Sequence, residues 1–397
     1  MTLLNWEYLL QRARNQSHAA LLLSNGYADS QGRFDLLYGE GLKTVIGDMD
    51  SLQQCEGLAF GHIGYHLKNK TFRHLHPAES ANAMWPEFFF FEPLNYALHF
   101  RDGRQETNIE TPLLGDFPQE DYRAEITQWQ QSESSDSYLQ KVREIQECIR
   151  NGVFYEMNFC QSYEAECELD PYRLFWELNR MAPSPFAAFY KLNDRYLIGS
   201  SPERFLQKQG QRLFSQPIKG TAKRSGGADA VEIQALKTSE KDRAENIMIV
   251  DLVRNDLSRV CEVGTVVVNE LCGIYSYPNV HQMISSVSGE LRPDMQFSDI
   301  TEALFPMGSM TGAPKIEVMK HIDRLENFER GLYSGSVGYW YKGDFDLNVV
   351  IRSLEYTPGY LRYAVGGAIT IDSDPQEELD ECLTKASSIR RLLNPNN

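Results

Sequence analysis

One lysine in a short, conformationally restricted segment is the first residue whose setting suggests chemistry. Lys219 lies in the run Gln216-Pro217-Ile218-Lys219-Gly220-Thr221, which follows a strand-like run over 212–215. Pro217 fixes its own φ angle and favours an extended Gln216, and Gly220 permits a close backbone approach. A lysine that loses solvent also loses its proton more easily and becomes an amine nucleophile. The alternative is an ordinary surface lysine in a turn.

A glutamate that precedes this lysine is a candidate acid partner. Glu203 lies in Ser201-Pro202-Glu203-Arg204-Phe205, and the strand-like runs 204–208 and 212–216 flank Gly210. A hairpin that turns at Gly210 would bring Glu203 and Lys219 to the same end of the two strands. A carboxylic acid there could assist the departure of a leaving group while the amine attacks. The alternative is a salt bridge at a strand end, which contributes under about 1 kcal/mol if exposed.

Two predicted helices carry acidic residues three positions apart, so that each pair shares one helix face. The pairs are Asp242 with Glu245 and Glu378 with Glu381. Two such faces, if opposed, would offer oxygen ligands to Mg²⁺, which favours a few carboxylates, several waters and an anionic substrate. Lys385, four residues after Glu381, could hold a substrate carboxylate beside the metal or merely pair with Glu381. A solvated acidic face is the alternative for either helix.

Three further features could recognise an anion. Gly366-Gly367 interrupts a strand-like run, which either lets backbone N–H groups face an anion or marks a bulge. Arg352, in an otherwise apolar strand, either pairs with a buried acid or presents its guanidinium to a carboxylate. The sequence leaves two interpretations of His281, a structural role and a role in a site.

The predicted helices are marked by periodic apolar residues and by end signals. One begins near Asp136 or Ser137 and ends at Asn151-Gly152, and one long helix covers 231–259. The last begins at Asp374-Pro375 and is expected to bury a stripe made of Leu379, Leu383, Ala386, Ile389 and Leu393.

Strand-like segments outnumber the helices. They occur throughout 1–100 and again at 153–164, 186–199, 204–208, 212–216, 264–270, 332–342, 346–356 and 360–371. The polar stretch 101–137 predicts a hairpin turn at Asp102-Gly103, followed by a connecting segment at Thr111-Pro112. Because the strands are many and often linked as hairpins, we predict a mixed α+β fold with large, mostly antiparallel sheets.

Composition excludes several functional classes. The 397 residues carry a net charge of -16 and a pI near 5.0, which argues against non-specific binding to nucleic acid or to anionic membranes. The seven cysteines have no zinc-site spacing, so we expect reduced thiols in a cytoplasmic protein. Neither a signal peptide nor an apolar run of about 18 residues is visible.

Taken together, these segments resemble those of the chorismate-utilising enzymes: component I of anthranilate synthase and of aminodeoxychorismate synthase, and the isochorismate and salicylate synthases. The resemblance covers 135–394 and rests on Tyr138…Ile149-Arg150-Asn151-Gly152, the segments around Glu203 and Lys219, 242–257, Gly308…Thr311-Gly312-Ala313-Pro314-Lys315 and 381–386. It implies an α/β sandwich divided into an N-terminal β-rich lobe, 1–130, and a chorismate-binding catalytic region, 135–394. The first 130 residues match more loosely.

The resemblance also implies roles for single residues. Glu245 and Glu381 resemble the Mg²⁺ ligands, with Glu378 and Asp242 in support. Glu203 resembles the acid that assists loss of the C4 hydroxyl of chorismate. The positions that match the substrate-binding pocket are Thr221, His281, Tyr333, Arg352, Gly366, Gly367 and Lys385.

Lys219 separates the branches of this family. The anthranilate, isochorismate and salicylate enzymes carry Ala in the third place of Pro-Ile-x-Gly-Thr, whereas the aminodeoxychorismate branch carries Lys. The resemblance therefore implies that the Lys219 amine attacks C2 of chorismate, and that ammonia then adds at C4 and expels the lysine. Glu156 departs from the pattern, since the amine-transferring branches usually have Gln there and isochorismate-type enzymes have Lys.

No glutaminase nucleophile motif is present, so the resemblance implies that a separate glutamine amidotransferase supplies the ammonia. A separate pyridoxal-phosphate lyase is the expected consumer of the product. Two alternatives remain open: component I of anthranilate synthase, and a non-catalytic chorismate-binding subunit of a glutaminase complex.

Overall fold

Two large antiparallel sheets with helices on their outer faces make up the fold. The computed structural model describes residues 5–72, 84–110, 126, 128–224, 229–277 and 280–393. Its helices are α1 (Trp6–Arg12), α2 (Met49–Gln53), α3 (Lys68–Thr71), α4 (Ser135–Arg150), α5 (Pro171–Met181), α6 (Asp229–Thr238), α7 (Glu240–Ser258), α8 (Phe297–Leu304), α9 (Lys315–Leu325) and α10 (Pro375–Leu393). Short 3₁₀ helices cover Ala13–Asn15, Tyr65–Leu67 and Gly308–Met310.

The strands come from all parts of the chain. In chain order they are β1 (His18–Leu23), β2 (Phe34–Glu40), β3 (Thr44–Ile46), β4 (Leu58–Ile63), β5 (Phe88–Glu92), β6 (Asn95–Phe100), β7 (Gln105–Thr107), β8 (Gln130–Gln131), β9 (Glu156–Ala165), β10 (Phe186–Leu192), β11 (Arg195–Ser201), β12 (Arg204–Gln209), β13 (Arg212–Gln216), β14 (Ile218–Lys223), β15 (Val267–Ser276), β16 (Val280–Glu290), β17 (Gly312–Ala313), β18 (Ser336–Tyr341), β19 (Asp344–Asn348), β20 (Ser353–Thr357) and β21 (Tyr360–Ile369).

Each sheet combines strands from both ends of the chain. The first has the order β17-β9-β21-β20-β11-β10-β1-β2-β6-β7, with β8 beside β9. The second has the order β14-β16-β13-β12-β19-β18-β4-β5-β3, with β15 also paired to β16. Thus β1 lies between β2 and β10, and β4 pairs with β18. The predicted fold of large antiparallel sheets with outer helices is confirmed.

Three groups of buried side chains hold these layers together. Aromatic residues of both sheets, including Phe34, Phe60, Tyr190 and Tyr339, pack between the sheets. A second group joins α4, α5, α9 and α10 to the outer face of the first sheet. A third joins α7 and α8 to the outer face of the second. Burying these apolar faces is the main favourable term in folding.

Several predicted boundaries were wrong for local reasons. The long helix expected over 231–259 is two helices, because the Ser239 side chain accepts a hydrogen bond from the Asp242 amide and caps a new start. In α10, Leu383 is 37% exposed while Cys382 is fully buried, so the buried stripe passes through Cys382. The strand expected over 346–356 is interrupted before β20 at Arg352, whose φ is +50°.

The N-terminal hairpin turn at Asp102-Gly103 is present, since β6 and β7 pair on either side of it. The connecting segment expected from Thr111-Pro112 lies outside the described residues. None of the helices that the structure describes has the length and apolar composition needed to cross a bilayer.

Candidate functional site

The hairpin of β12 and β13 places the predicted acid and the predicted nucleophile at one end of the second sheet. Gly210 forms the turn with φ +58°, and Arg204 pairs with Gln216 at the far end of the hairpin. Glu203 immediately precedes that pair, and Lys219 follows it in β14. The two are close enough for the Lys219 charge to act on the pKa of Glu203. The predicted juxtaposition is therefore present.

Gly220 lets the helix that carries Asp242 and Glu245 approach the lysine strand. Its φ is +92°, and a Cβ atom there would lie 3.0 Å from Asp242 Cβ, a conformation and a space that suit glycine alone. One residue after Glu245, the buried Asn246 donates hydrogen bonds to Lys219 O, at 3.3 Å, and to Met283 O, at 3.2 Å. Asn246 was not singled out from the sequence, although it fixes the lysine backbone against α7.

Glu156 is the direct partner of the lysine side chain. Lys219 Nζ donates a hydrogen bond to Glu156 Oε1 at 2.8 Å, and the two side chains are 10% and 1% exposed. The other carboxylate oxygen, Oε2, is buried without a hydrogen-bond partner among the described residues. Glu156 begins β9, which pairs there with β17, and a Cβ on Gly312 would lie 2.1 Å from Glu156 O. That close pairing fixes the position of the carboxylate.

The expectation that burial would make Lys219 easier to deprotonate was wrong for the free protein. Burial alone lowers the pKa of Lys219, but the negative charges of Glu156, Glu245 and Glu203 raise it by more, so the net pKa lies above its ordinary value. Before it can act as a nucleophile the lysine must therefore give up a proton to a nearby base, and Glu156 is in direct contact with it.

Glu203 has the properties of an acid near neutral pH. It is 4% exposed, and burial raises its pKa to about 7 despite a hydrogen bond from Ser309 and the charges of Lys219 and Arg352. Ser309 Oγ donates that hydrogen bond to Glu203 Oε1 at 2.7 Å. Ser309 was missed from the sequence, although it lies within the segment Gly308…Lys315 that carries part of the resemblance.

The acidic faces of α7 and α10 form one electrostatic cluster with Lys219. Lys241 Nζ of α7 lies 3.7 Å from Glu378 Oε1 of α10, and the charges of Glu245 and Glu381 also raise the pKa of Lys241 above its ordinary value, although burial lowers it. Burial raises the pKa of Glu245 to about 7, and its buried Oε1 has no hydrogen-bond partner among the described residues. Lys241, also missed from the sequence, is the cation that links the two helices.

This cluster fits a hard divalent cation that takes few protein ligands. Glu245 offers a buried oxygen without a partner, and Glu381 lies near enough to affect Lys219 and Lys241. Among the described residues, no three of the four predicted carboxylates bring ligand oxygens within 4.8 Å of one another. Mg²⁺ commonly binds through one or two carboxylates, with waters and substrate oxygens completing its octahedron, so the residues present suit that mode.

The glycine pair lies directly beside α10. Lys385 Nζ donates a hydrogen bond to Gly366 O at 2.8 Å and lies 2.8 Å from Glu381 Oε1. A Cβ on Gly366 would lie 2.4 Å from Cys160 Sγ, and one on Gly367 would lie 3.0 Å from Glu378 Oε2. Gly366 thus has no space for a side chain, whereas one at Gly367 would displace the Glu378 carboxylate, and Lys385 is held between the strand and the acidic cluster.

Arg352 has a strained backbone and an available guanidinium. Its φ of +50° is one that non-glycine residues rarely adopt. Its side chain is exposed to solvent, yet it lies deep enough in the protein for burial to lower its pKa. The guanidinium forms no hydrogen bond or ion pair with the part of the chain that the structure describes. An exposed guanidinium held by a strained backbone suits the recognition of a carboxylate.

Two of the predicted substrate-binding residues lie on opposite faces of the second sheet. Thr221 pairs with Gln282, whereas Ala222 pairs with His281, and paired residues share a face. His281 is fully buried towards α6, so the expectation that it lines one pocket with Thr221 was wrong. The cause is the bulge between Ile218 and Thr221, which shifts the register of β14.

Gln282 takes the place expected for His281. It is 1% exposed, and its Oε1 has no hydrogen-bond partner among the described residues. Strand alternation around His281 would have pointed to it, but only with the register known. Tyr333 is buried beneath the glycine pair, with its hydroxyl 3.7 Å from Cys160 Sγ.

Comparisons with known proteins address the family and the fold of this chain. A family model described as chorismate binding enzyme matches residues 26–391. The aminodeoxychorismate synthase of Streptomyces griseus is 46% identical over 262 residues, covering 65% of this chain and 36% of that protein. The aminodeoxychorismate synthase component 1 of Escherichia coli (strain K12) is 37% identical over 423 residues, covering 94% of this chain and 93% of that protein.

A solved structure gives the same result for the fold. The crystal structure of anthranilate synthase component I from Streptococcus pneumoniae TIGR4 matches with a TM-score of 0.77 at 25% identity, covering 96% of this chain and 91% of that one. The chain thus spans little more than a third of the Streptomyces griseus relative but nearly all of the Escherichia coli one. The resemblance drawn from the sequence motifs is confirmed, and the chain belongs to the chorismate binding enzyme family.

Proposed function

We propose that this chain is component 1 of an aminodeoxychorismate synthase, which transfers ammonia to C4 of chorismate through a covalent intermediate on Lys219. The observation that carries the proposal is the buried contact of 2.8 Å between Lys219 Nζ and Glu156 Oε1. This contact lies near Glu203, and burial raises the pKa of Glu203 to about 7. A nucleophile with a base in contact, and an acid protonated near neutral pH, are the groups that such a substitution needs. The names of the relatives support the same assignment.

In the first step Lys219 gives one proton to Glu156, and its amine forms a bond to C2 of chorismate. The ring double bonds shift, the C4–O bond breaks, and the hydroxyl leaves as water with the proton of Glu203. In the second step ammonia forms a bond to C4 while the bond between C2 and the lysine nitrogen breaks. Glu203 then takes a proton from the new C4 ammonium, and Glu156 returns its proton to Lys219. Covalent catalysis of this kind divides one difficult substitution into two easier ones.

The remaining residues hold the substrate. Mg²⁺, when bound by Glu245 and Glu381 with Glu378 and Asp242 in support, supplies the positive charge that fixes the C1 carboxylate. We assign the recognition of the substrate's carboxylates to Arg352, Lys385, Tyr333 and the Gly366-Gly367 backbone, because the first two are cations beside the cleft. Thr221 and Gln282, which share one face of the sheet, complete the pocket.

The ammonia comes from a separate glutamine amidotransferase in this proposal. The relative from Escherichia coli is named component 1, which supports a second component. The product, 4-amino-4-deoxychorismate, still carries its pyruvyl ether, so a lyase has to act on it to give 4-aminobenzoate.

Product analysis tests the proposal directly. Purified protein with chorismate, Mg²⁺ and ammonium is expected to give 4-amino-4-deoxychorismate by chromatography. Anthranilate, salicylate or binding without turnover, even with a glutaminase present, would contradict it, and anthranilate would favour the sister synthase. A Lys219→Ala variant should bind chorismate by calorimetry but form no adduct detectable by mass spectrometry. Lys223→Ala, which removes an exposed lysine from the same strand, is the matched control and should react normally.

A further inference from the structure

A second group of potential metal ligands lies on the face of the second sheet opposite Thr221. His281 of β16 is fully buried there, and Asp229 and Glu232 project from the first turn of α6. His281 Nε2 lies 3.6 Å from Asp229 Oδ1 and 4.0 Å from Glu232 Oε2. Each residue can offer one ligand atom so that the three atoms lie within 4.8 Å of one another, and no other such group occurs among the described residues.

The histidine is oriented as a ligand would be. Its Nδ1 lies 2.8 Å from Ser276 Oγ, so that when Nδ1 carries the proton, the lone pair of Nε2 faces the two acids. Nε2 is buried and has no hydrogen-bond partner among the described residues. Metal-bound histidines usually donate their other ring N–H to an oxygen in this way, which fixes the tautomer and the ring.

The carboxylate of Asp229 is held in a matching position. Its Oδ2 accepts a hydrogen bond from Arg224 at 2.7 Å, while the buried Oδ1, which faces His281, has no hydrogen-bond partner in the described residues. With Nδ1 protonated, the Nε2 lone pair faces carboxylate oxygens, and a cation bound between them would remove that repulsion. Arg224 neutralises Asp229 from its other oxygen, which leaves Asp229 Oδ1 and His281 Nε2 as donors for the ion.

We propose that His281, Asp229 and Glu232 bind a divalent transition metal, with Zn²⁺ as the best-fitting ion. Zn²⁺ binds imidazole nitrogen and carboxylate oxygen at about 2.0–2.2 Å in tetrahedral geometry, which places two ligand atoms about 3.3–3.6 Å apart. The 3.6 Å between His281 Nε2 and Asp229 Oδ1 matches that spacing, and the 4.0 Å to Glu232 Oε2 requires a small movement of the Glu232 side chain. One imidazole with two carboxylates also favours Zn²⁺ over Mg²⁺, which prefers oxygen alone. Water completes the coordination.

This site would join the segment that connects the nucleophile to the acidic helix. The chain passes from β14, which carries Lys219, through α6 to α7, which carries Glu245. Elsewhere α6 is anchored by Leu236, which packs with Cys272 and Met283. A metal at its first turn would fix the other end of α6 to β16. The role is structural, since none of the three ligands takes part in the proposed reaction, and Thr221 and Gln282 of the proposed pocket lie on the opposite face of the sheet.

The test is metal binding by the full-length protein with Mg²⁺ in large excess, so that oxygen-only sites are filled. Equilibrium dialysis against Zn²⁺, followed by elemental analysis, is expected to give one more tightly bound Zn²⁺ per chain for the wild type than for Glu232→Gln. Asp229→Asn and His281→Gln should likewise weaken binding by at least about tenfold. Glu317→Gln removes a carboxylate 3.7 Å from His321 on α9, a pair without a third ligand, and should leave binding unchanged.

Two further readouts keep the proposal falsifiable if His281→Gln fails to fold. Co²⁺ bound at the site should show d–d absorption without a thiolate charge-transfer band, and this absorption should be lost in Glu232→Gln. Zn²⁺ should raise the melting temperature of the wild type but not that of Glu232→Gln. Equal Zn²⁺ binding by the wild type, Asp229→Asn and Glu232→Gln, or a thiolate band, would overturn the proposal.

Discussion

The contact between Lys219 and Glu156 gives a prediction whose size follows from its geometry. Two unit charges 2.8 Å apart interact by about 1.5 kcal/mol at the dielectric constant of water and by about 6 kcal/mol at an effective value of 20. These energies correspond to about 1 to 4 pKa units. Glu156→Gln keeps the shape and an acceptor oxygen but removes the charge. Because a nearby negative charge favours the ammonium, we expect the pKa of Lys219 to fall by at least about one unit.

Competitive labelling measures this pKa without depending on catalysis. Trace acetic anhydride reacts with the free amine only, so the yield of acetylated Lys219 peptide against pH, read by mass spectrometry, gives the titration curve. Glu147→Gln, which removes an exposed charge from α4, is the control and should not move the curve. A curve for Glu156→Gln that stays in place or moves to higher pH, in a protein with unchanged melting temperature, would refute the electrostatic reasoning.

Three further predictions concern the acid, the glycine and the strained arginine. Ser309→Ala removes a hydrogen bond that lowers the pKa of Glu203. The rate of adduct formation, which falls at alkaline pH when Glu203 loses its proton, should then fall only above pH 7. Glu203→Gln should slow adduct formation by at least about a hundredfold. Gly220→Ala should lower the free energy of unfolding in urea by more than about 1 kcal/mol, because φ is +92° and the new Cβ lies 3.0 Å from Asp242. Arg352→Gly should weaken chorismate binding, as measured by calorimetry. The free energy of unfolding in urea should stay unchanged or rise by up to about 1 kcal/mol, because glycine relieves a φ of +50°. A lower free energy of unfolding together with normal binding would contradict both roles.

The parts of the site that sequence reasoning found are encoded locally. The hairpin at Gly210 brings Glu203 near Lys219, and helix periodicity puts Asp242 beside Glu245. Both relations span few residues and depend only on turn and helix geometry. The many short strands were likewise enough to predict large, mostly antiparallel sheets, while the sandwich came from the resemblance.

The parts that were missed depend on register or on distant contacts. The resemblance drew attention to Glu156, but its hydrogen bond with Lys219, like that of Ser309 with Glu203, joins residues far apart in the chain and leaves no local pattern. The face on which His281 lies was decided by the bulge in β14, since one extra residue reverses which side chains face inwards. The direction of the pKa shift of Lys219 depends on the balance between burial and the surrounding carboxylates, of which Glu156 is the foremost.

The order of strands in the two sheets also determines how long a newly synthesised strand waits for its final neighbour. Ile63 of β4 pairs with Ser336 of β18, a separation of 336 − 63 = 273 residues, which a ribosome working at about 5–20 residues per second needs about 14 to 55 s to cross. During that interval the paired strands β4 and β5, with the run Phe88-Phe89-Phe90-Phe91, have an open strand edge and an apolar face that their final neighbours do not yet cover. The nascent chain therefore carries this uncovered edge while Glu156, Lys219 and Glu245 are being synthesised, and the edge is covered only when β18 has left the ribosome.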